Sequence, residues 1–324
     1  MALDLLFALL GLAILLLAGD SLVKGAVNLS LRLGVPALIV SLTIVAFGTS
    51  APELLISIQA TLENAPGIAL GNVVGSNIAN VLLVLGLPAI ISGLSTGECD
   101  TRRTYLFMLA ASALFAAVAF LGPITWVHGL VLLAALSLVL WDMFHAARSH
   151  RRETLSAAAV ADPAEVEEEV EGADPNLPWW KITLFLALGL AGLPLGADLL
   201  IEHSENIARE LGVSDTVIGL TLVALGTSLP ELATTVMAAL RRQADVALGN
   251  VIGSNIFNLL AIIGLASLVG DLAVPVEMLR FDLWVMLASA LILLPFVFRG
   301  WNMAKGWGIV LTGLYVAYVV AVLI

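Results

Sequence analysis

The chain has 324 residues, 60% hydrophobic and only 12% charged, with a mean hydropathy of +1.04 and a formal net charge of −11. An apolar share well above the roughly 45–50% of soluble domains excludes an ordinary water-soluble fold, and an acidic balance with no basic motif excludes nucleic acid as a partner. One cysteine, Cys99, excludes an internal disulfide framework.

The first segment, MALDLLFALLGLAILLLAGD, has no basic residue ahead of its apolar run, and Asp4 is its first charge. No small-residue cleavage site follows, so it reads as a retained first span rather than a signal peptide. Apolar runs of spanning length then recur, and the pattern predicts ten spans near 3–22, 36–60, 67–92, 103–121, 124–146, 179–201, 214–240, 246–269, 279–299 and 302–324. Spans one and six are expected to continue past the bilayer as polar-ended helices. The predicted fold class is an all-α integral membrane protein of ten transmembrane helices.

Between spans five and six lies the one long polar stretch, 147–178, with RSHRRE followed by ADPAEVEEEVEGADPNLP. It has too little apolar surface to fold alone and reads as a flexible linker. Its acidic run, Asp162 to Asp174, suits plain solvation better than calcium sensing. Placing the N-terminus outside puts twelve Lys and Arg residues in inside connections and leaves only Arg209 and Arg280 outside. The positive-inside rule therefore predicts a plasma (cell inner) membrane protein with both termini outside and a cytoplasmic linker.

The second span contains VAFGTSAPEL, with Glu53 at a depth where a charge costs about 2.5–3.5 kcal/mol on insertion scales. The seventh span repeats it as LVALGTSLPEL. A constant offset of 178 residues relates Glu53 to Glu231, Asn72 to Asn250 and Asn80 to Asn258, and 24 of the 46 positions in 41–86 match 219–264. The chain is thus an internal repeat, divided as 1–146, linker 147–178, and 179–324. Five spans per copy is odd, so the second copy enters the membrane inverted, the signature of secondary transporters with a midplane site on interrupted helices. Gly48 with Pro52, and Gly226 with Pro230, supply the interruptions and should free carbonyl oxygens.

Glu53 and Glu231 bring two carboxylates to one pseudo-symmetric site, with the hydroxyls and carbonyls of Thr49, Ser50, Thr227 and Ser228 beside them. GNVVGSNIAN (71–80) and GNVIGSNIFN (249–258) follow. Helical spacing puts Asn72, Ser76 and Asn80 on one face, and Asn250, Ser254 and Asn258 on another, while Gly71, Gly75, Gly249 and Gly253 permit close helix packing. Ordinary interhelical glue is the competing reading for the Asn and Ser residues, most of all for Asn72 and Asn250. Asp20 and Lys24 have i, i+4 spacing, which Asp198 and Glu202 do not repeat; both aspartates read as structural or as solvating a gating helix, since acids are seldom buried. All candidate ligands are hard oxygens, and no His or Cys lies in the motifs, which points to alkali or alkaline-earth ions rather than zinc or copper. No cofactor and no obligatory protein partner is implied; the partners are calcium and sodium ions and the lipid bilayer.

At these residues the sequence resembles the cation/calcium antiporter superfamily, in its bacterial and archaeal sodium/calcium exchanger branch. The paired GTS-x-PE and GN-(V/I)-x-GSNI-x-N motifs carry the resemblance, which covers essentially the whole chain. It implies that Glu53 and Glu231 bind calcium and share sodium, and that Thr49, Ser50, Thr227 and Ser228 add hydroxyl and carbonyl ligands. It further implies that Ala46 and Ala224 lend carbonyls, that Ser76 and Ser254 bind sodium, and that Asn80 and Asn258 form the central polar pair. Asparagine rather than aspartate at 258 makes potassium co-transport less expected. The implied activity is sodium-for-calcium exchange by alternating access, with spans one and six sliding over spans two, three, seven and eight. A proton/calcium antiporter of the same fold and a cation channel are the alternatives; no nucleophile–base set or catalytic metal motif supports an enzyme.

Overall fold

The computed structural model describes residues 1–158, 174, 176–212 and 224–323. It is all-helical. The long helices are α1 (Ala2–Leu33), α2 (Ala37–Thr49), α3 (Ala51–Leu62), α4 (Pro66–Ile91), α5 (Arg102–Phe120), α6 (Trp126–Ala158), α7 (Trp179–Glu210), α8 (Leu229–Leu240), α9 (Ala244–Val269), α10 (Met278–Arg299) and α11 (Lys305–Leu323). A helical turn, Ala224–Gly226, precedes α8. Helices α2 and α3 make one span bent by 44° at Ser50. Span seven is described only from Ala224 onward; its predicted first half lies outside the described residues.

Helix ends follow local chemistry. Gly34, at φ 65°, closes α1 by offering its N–H to Leu31 and Ser30 carbonyls. Pro52 and Pro230 sit in the first turns of α3 and α8, where a missing N–H costs nothing. Spans one and six do overrun the bilayer: 32 residues each make a helix of about 48 Å against a hydrocarbon core of about 30 Å. Span five differs from expectation. Its helix runs on to Ala158, so the predicted flexible linker does not begin at 147. Alanine and other good helix formers in 146–158 let the preceding helix continue into polar sequence.

The two copies fold alike and point in opposite directions. Asn64 and Arg242, related by the 178-residue offset, hold the same left-handed backbone (φ 58° and 57°) after α3 and α8. Arg is a poor left-handed residue, so the turn geometry is imposed by the fold. Reciprocal backbone bridges join Leu94 to Met303, both at 3.0 Å, and Ile124 to Leu272, both at 2.9 Å. Each bridge ties one copy to the other. The loops around 92–95, 239–244 and 302–304 share one end, lining a cavity of about 540 Å³.

Helices α4 and α9 are the most enclosed of the spans, and their polar residues face the protein interior rather than lipid. α1 and α7 lie antiparallel at the periphery, one face of α1 presenting Leu3, Leu6, Leu9, Leu10 and Leu17 outward. Small residues set their close approach: a Cβ on Gly11 would come 2.6 Å from the Leu200 nitrogen, and one on Gly196 2.7 Å from that of Leu15.

Candidate functional site

The backbone breaks at Ser50 (φ −85°, ψ 8°) and Ser228 (φ −85°, ψ 2°) are near copies of each other. Each is followed by a 12-residue helix whose first turn carries the glutamate, Glu53 on α3 and Glu231 on α8. The positive end of a helix macrodipole therefore faces each carboxylate. Both are sealed from the surface, at 1% and 0% relative exposure, and lie within coulombic reach of one another.

Their surroundings are unequal. Ser50 donates from Oγ to Glu231 Oε1 at 2.9 Å, reaching across from the other copy, and Ser254 Oγ approaches the same oxygen at 3.4 Å. The mate contact, Ser228 to Glu53, is not made. Among the described residues, both Glu53 oxygens, Glu231 Oε2, Thr227 Oγ1 and Ser228 Oγ are buried without a hydrogen-bond partner. Thr49 Oγ1 lies 3.3 Å from the Ala46 carbonyl and 3.2 Å from Asn250 Oδ1, its one proton serving either.

The two copies differ in the carbonyls at Ala46 and Ala224. Ser50 N–H bonds to the Ala46 carbonyl at 3.0 Å, so Ala46 keeps its helical donor. In the other copy Ser228 N–H reaches Leu225 instead, at 3.1 Å, and the Ala224 carbonyl loses its helical donor among the described residues. Pro52 and Pro230 have no N–H to give the Gly48 and Gly226 carbonyls.

On α4 and α9 the polar faces are where the spacing put them, all buried except Asn72, which is half-buried. Asn72 and Asn250 act as struts. Asn72 Nδ2 donates to the Glu53 carbonyl (3.1 Å) and to Ser57 Oγ (3.0 Å); Asn250 Nδ2 donates to the Glu231 carbonyl (3.3 Å) and Thr235 Oγ1 (3.1 Å). Each fixes the start of a glutamate-bearing helix. Ser76 is buried beside Asn77 and Asn80. Asn80 Nδ2 donates to Asn255 Oδ1 at 3.1 Å, and Asn258 has neither Nδ2 nor Oδ1 engaged among the described residues. π-Helical turns begin at Asn80 and Phe257, a local widening often found where helices carry function.

A Cβ on Gly249 would lie 2.8 Å from Ser41 Cβ, and one on Gly253 2.6 Å from both the Leu42 carbonyl and Ala46 Cβ. These glycines let α9 touch α2 next to the break. No described atom lies within 4 Å of a Cβ on Gly71 or Gly75.

Sequence reasoning passed over Ser57, Thr235, Asn77, Asn255 and Arg241. A signal was present for the first four: Ser57 and Thr235 follow the glutamates by four residues, and Asn77 and Asn255 are identical at the repeat offset. Arg241 has no such marker, because its mate is Glu63.

The family model for sodium/calcium exchanger proteins matches residues 3–144 and 181–324. The chain belongs to that family. It is a multi-pass membrane antiporter of the cation/calcium class, and not an enzyme. It is 37% identical to sodium/calcium exchanger MaX1 of Methanosarcina acetivorans, over 97% of each chain. It is 35% identical to the putative antiporter CaxA of Alkalimonas amylolytica, over 89% of this chain and 88% of that one. The exchanger NCX_Mj soaked without sodium or calcium superposes with a TM-score of 0.80 at 32% identity, over 99% of each chain. NCX_Mj has also been solved after soaking with sodium, calcium and strontium.

Proposed function

We propose that this exchanger carries sodium one way and calcium the other through the Glu53–Glu231 site, extruding calcium from the cell. The observation that carries this reading is the pair of buried carboxylates with three of their four oxygens unpartnered among the described residues. A buried, unpaired charge is costly, and a bound cation removes that cost. Two negative charges balance one divalent or two monovalent ions, so calcium and sodium compete for the same oxygens. The ligands are Glu53, Glu231, Thr49, Ser50, Thr227, Ser228, Ser76, Ser254, Asn80 and Asn258, with the backbone carbonyls of Ala46 and Ala224. The bare site resists crossing a low-dielectric barrier, which couples the two fluxes.

Alternating access is assigned to α1 and α7 sliding over the core as a pair. α1 packs closely on α8, where a Cβ on Gly19 would come 3.0 Å from the Ala233 carbonyl; α7 makes no comparable contact with α3 among the described residues. With both termini outside and the linker cytoplasmic, α8 is the inner half of span seven and α3 the outer half of span two. The inner end is then the more tightly closed of the two, while both carboxylates stay sealed from the surface.

The test uses purified protein in sealed liposomes loaded with sodium, diluted into sodium-free buffer at clamped pH with radiolabelled calcium. Sodium-gradient-dependent uptake is expected. Uptake driven only by a proton gradient would replace sodium with protons, and uptake with no gradient would make the protein a channel.

A further inference from the structure

The proposed ion ligand Asn80 presents a chemical problem. Its side-chain amide has an oxygen and an NH₂ of nearly equal size, and only the oxygen can meet a cation. A freely rotating amide would offer the wrong end much of the time. In the structure Asn80 is not free: its Nδ2 donates to Asn255 Oδ1 at 3.1 Å. Asn255 is itself pinned, its own Nδ2 turned to Met108 Sδ at 3.6 Å, so its oxygen is the end offered to Asn80. The consequence is that Asn80 Oδ1 is buried with no donor among the described residues, an acceptor left for a cation.

We propose that Asn255, and by the repeat Asn77, are positioning residues that orient the amides of Asn80 and Asn258 so that oxygen rather than NH₂ faces the ion. The inference rests on the ion-site reading above. The offset of 178 residues maps Asn80 to Asn258 and Asn77 to Asn255. The helix segments that carry Asn77 and Asn258 are in contact, as are those that carry Asn80 and Asn255. On the Asn77 side the complementary groups are both idle. Asn77 Nδ2 is spent on the Val73 carbonyl at 2.7 Å, leaving Oδ1 buried without a donor, and Asn258 Nδ2 is buried without an acceptor, among the described residues. One amide clasp is thus closed and its mate stands open, with an acceptor and a donor that match. Neither Asn77 nor Asn255 needs to touch an ion.

The experiment is a double-mutant cycle read by equilibrium binding of calcium alone to the purified full-length protein, with Glu53→Gln as the site control. Asn255→Leu removes the acceptor. It is expected to weaken calcium binding on the order of tenfold in the wild-type background, the scale of one lost orienting hydrogen bond. In an Asn80→Asp background no NH₂ is left for Asn255 to hold and a carboxylate oxygen faces its Oδ1 instead, so Asn255→Leu is expected not to weaken calcium binding there. An equal loss in both backgrounds, or no loss in either, overturns the positioning role while leaving the ion site intact. Wild-type protein that binds no calcium, or binds it equally well with Glu53→Gln, overturns the site reading and this inference with it. If Asn255→Leu does not fold, Asn77→Leu against Asn258→Asp runs the same cycle with the same expected pattern.

Discussion

Arg241 Nε lies 2.5 Å from Asp20 Oδ1, and Lys24 Nζ holds the other oxygen of that carboxylate at 2.9 Å. Asp20 is on α1 and Arg241 ends α8, so the pair latches a peripheral helix to a core helix at one end of the molecule. The repeat mates of Asp20, Lys24 and Arg241 are Asp198, Glu202 and Glu63, three exposed acids. The matching contact at the opposite end would bring like charges together, so the inverted copies are not equivalent in charge. Asp20→Asn is expected to loosen the α1–α8 contact by ~1 kcal/mol, about a fivefold population shift. Thiol labelling of Ala233→Cys, in a Cys99→Ser background, should accelerate by that factor; an unchanged rate would mean the latch holds nothing.

The two glutamates should behave differently when neutralised. Glu231 already accepts from Ser50 and Ser254, whereas Glu53 accepts from no described side chain. Glu53→Gln removes an uncompensated buried charge, so the ion-free protein should gain stability, by about 1–3 kcal/mol. Glu231→Gln should gain less, because the carboxylate it replaces is partly satisfied. Both should lose calcium-driven stabilisation, which wild type shows as a melting temperature rising with calcium. Thermal unfolding with and without calcium checks all three statements, and a Glu53→Gln variant less stable than wild type without ions would contradict the first.

Much of this was legible in the residues. The repeat offset alone located both helix breaks, both glutamates and the polar faces of α4 and α9, because a carboxylate beside Gly and Pro in an apolar span has few structural explanations. The odd number of spans per copy implied inversion, and the Leu94–Met303 and Ile124–Leu272 bridges tie the two copies together. What it concealed was asymmetry. Near-identical motifs suggest identical halves, yet Ser50 bonds Glu231 while Ser228 does not bond Glu53, and Ala46 keeps its donor while Ala224 loses it. Those differences arise from how the two copies pack on each other and leave no mark in composition. The overrun of α6 to Ala158 was missed for a plainer reason: polar residues with good helix propensity extend a helix that tertiary packing has already nucleated.

Asn72 and Asn250 should matter for stability more than for ion choice. Each ties the backbone at a glutamate to a hydroxyl one turn later, through Ser57 or Thr235. Asn250→Ala leaves the Glu231 carbonyl and Thr235 without that donor in a fully buried place and also deprives Thr49 of an acceptor, a loss of about 2–4 kcal/mol. Asn72 is half-buried and makes no described contact across the copies, so Asn72→Ala should cost about 1–2 kcal/mol. Denaturant or thermal unfolding in detergent gives the order directly; equal losses would deny Asn250 its cross-copy role.

Gly253 offers the sharpest steric test, since it lies in the contact between α9 and the broken span. An added methyl there would sit 2.6 Å from the Leu42 carbonyl and 2.6 Å from Ala46 Cβ, both fixed in helical backbone rather than at the end of a flexible side chain. α9 would have to back away from α2, carrying Ser254 and Asn250 off Glu231 and Thr49. Overpacking of this kind costs about 1–3 kcal/mol, but the shift falls on the ion ligands, so transport should suffer more than stability. Gly306→Ala is the matched control, with no described atom within 4 Å of the new methyl. The expected result is a folded Gly253→Ala protein whose calcium uptake falls at least tenfold beside a control that is unchanged; equal uptake in the two would show that α9 and α2 can separate without cost to the site.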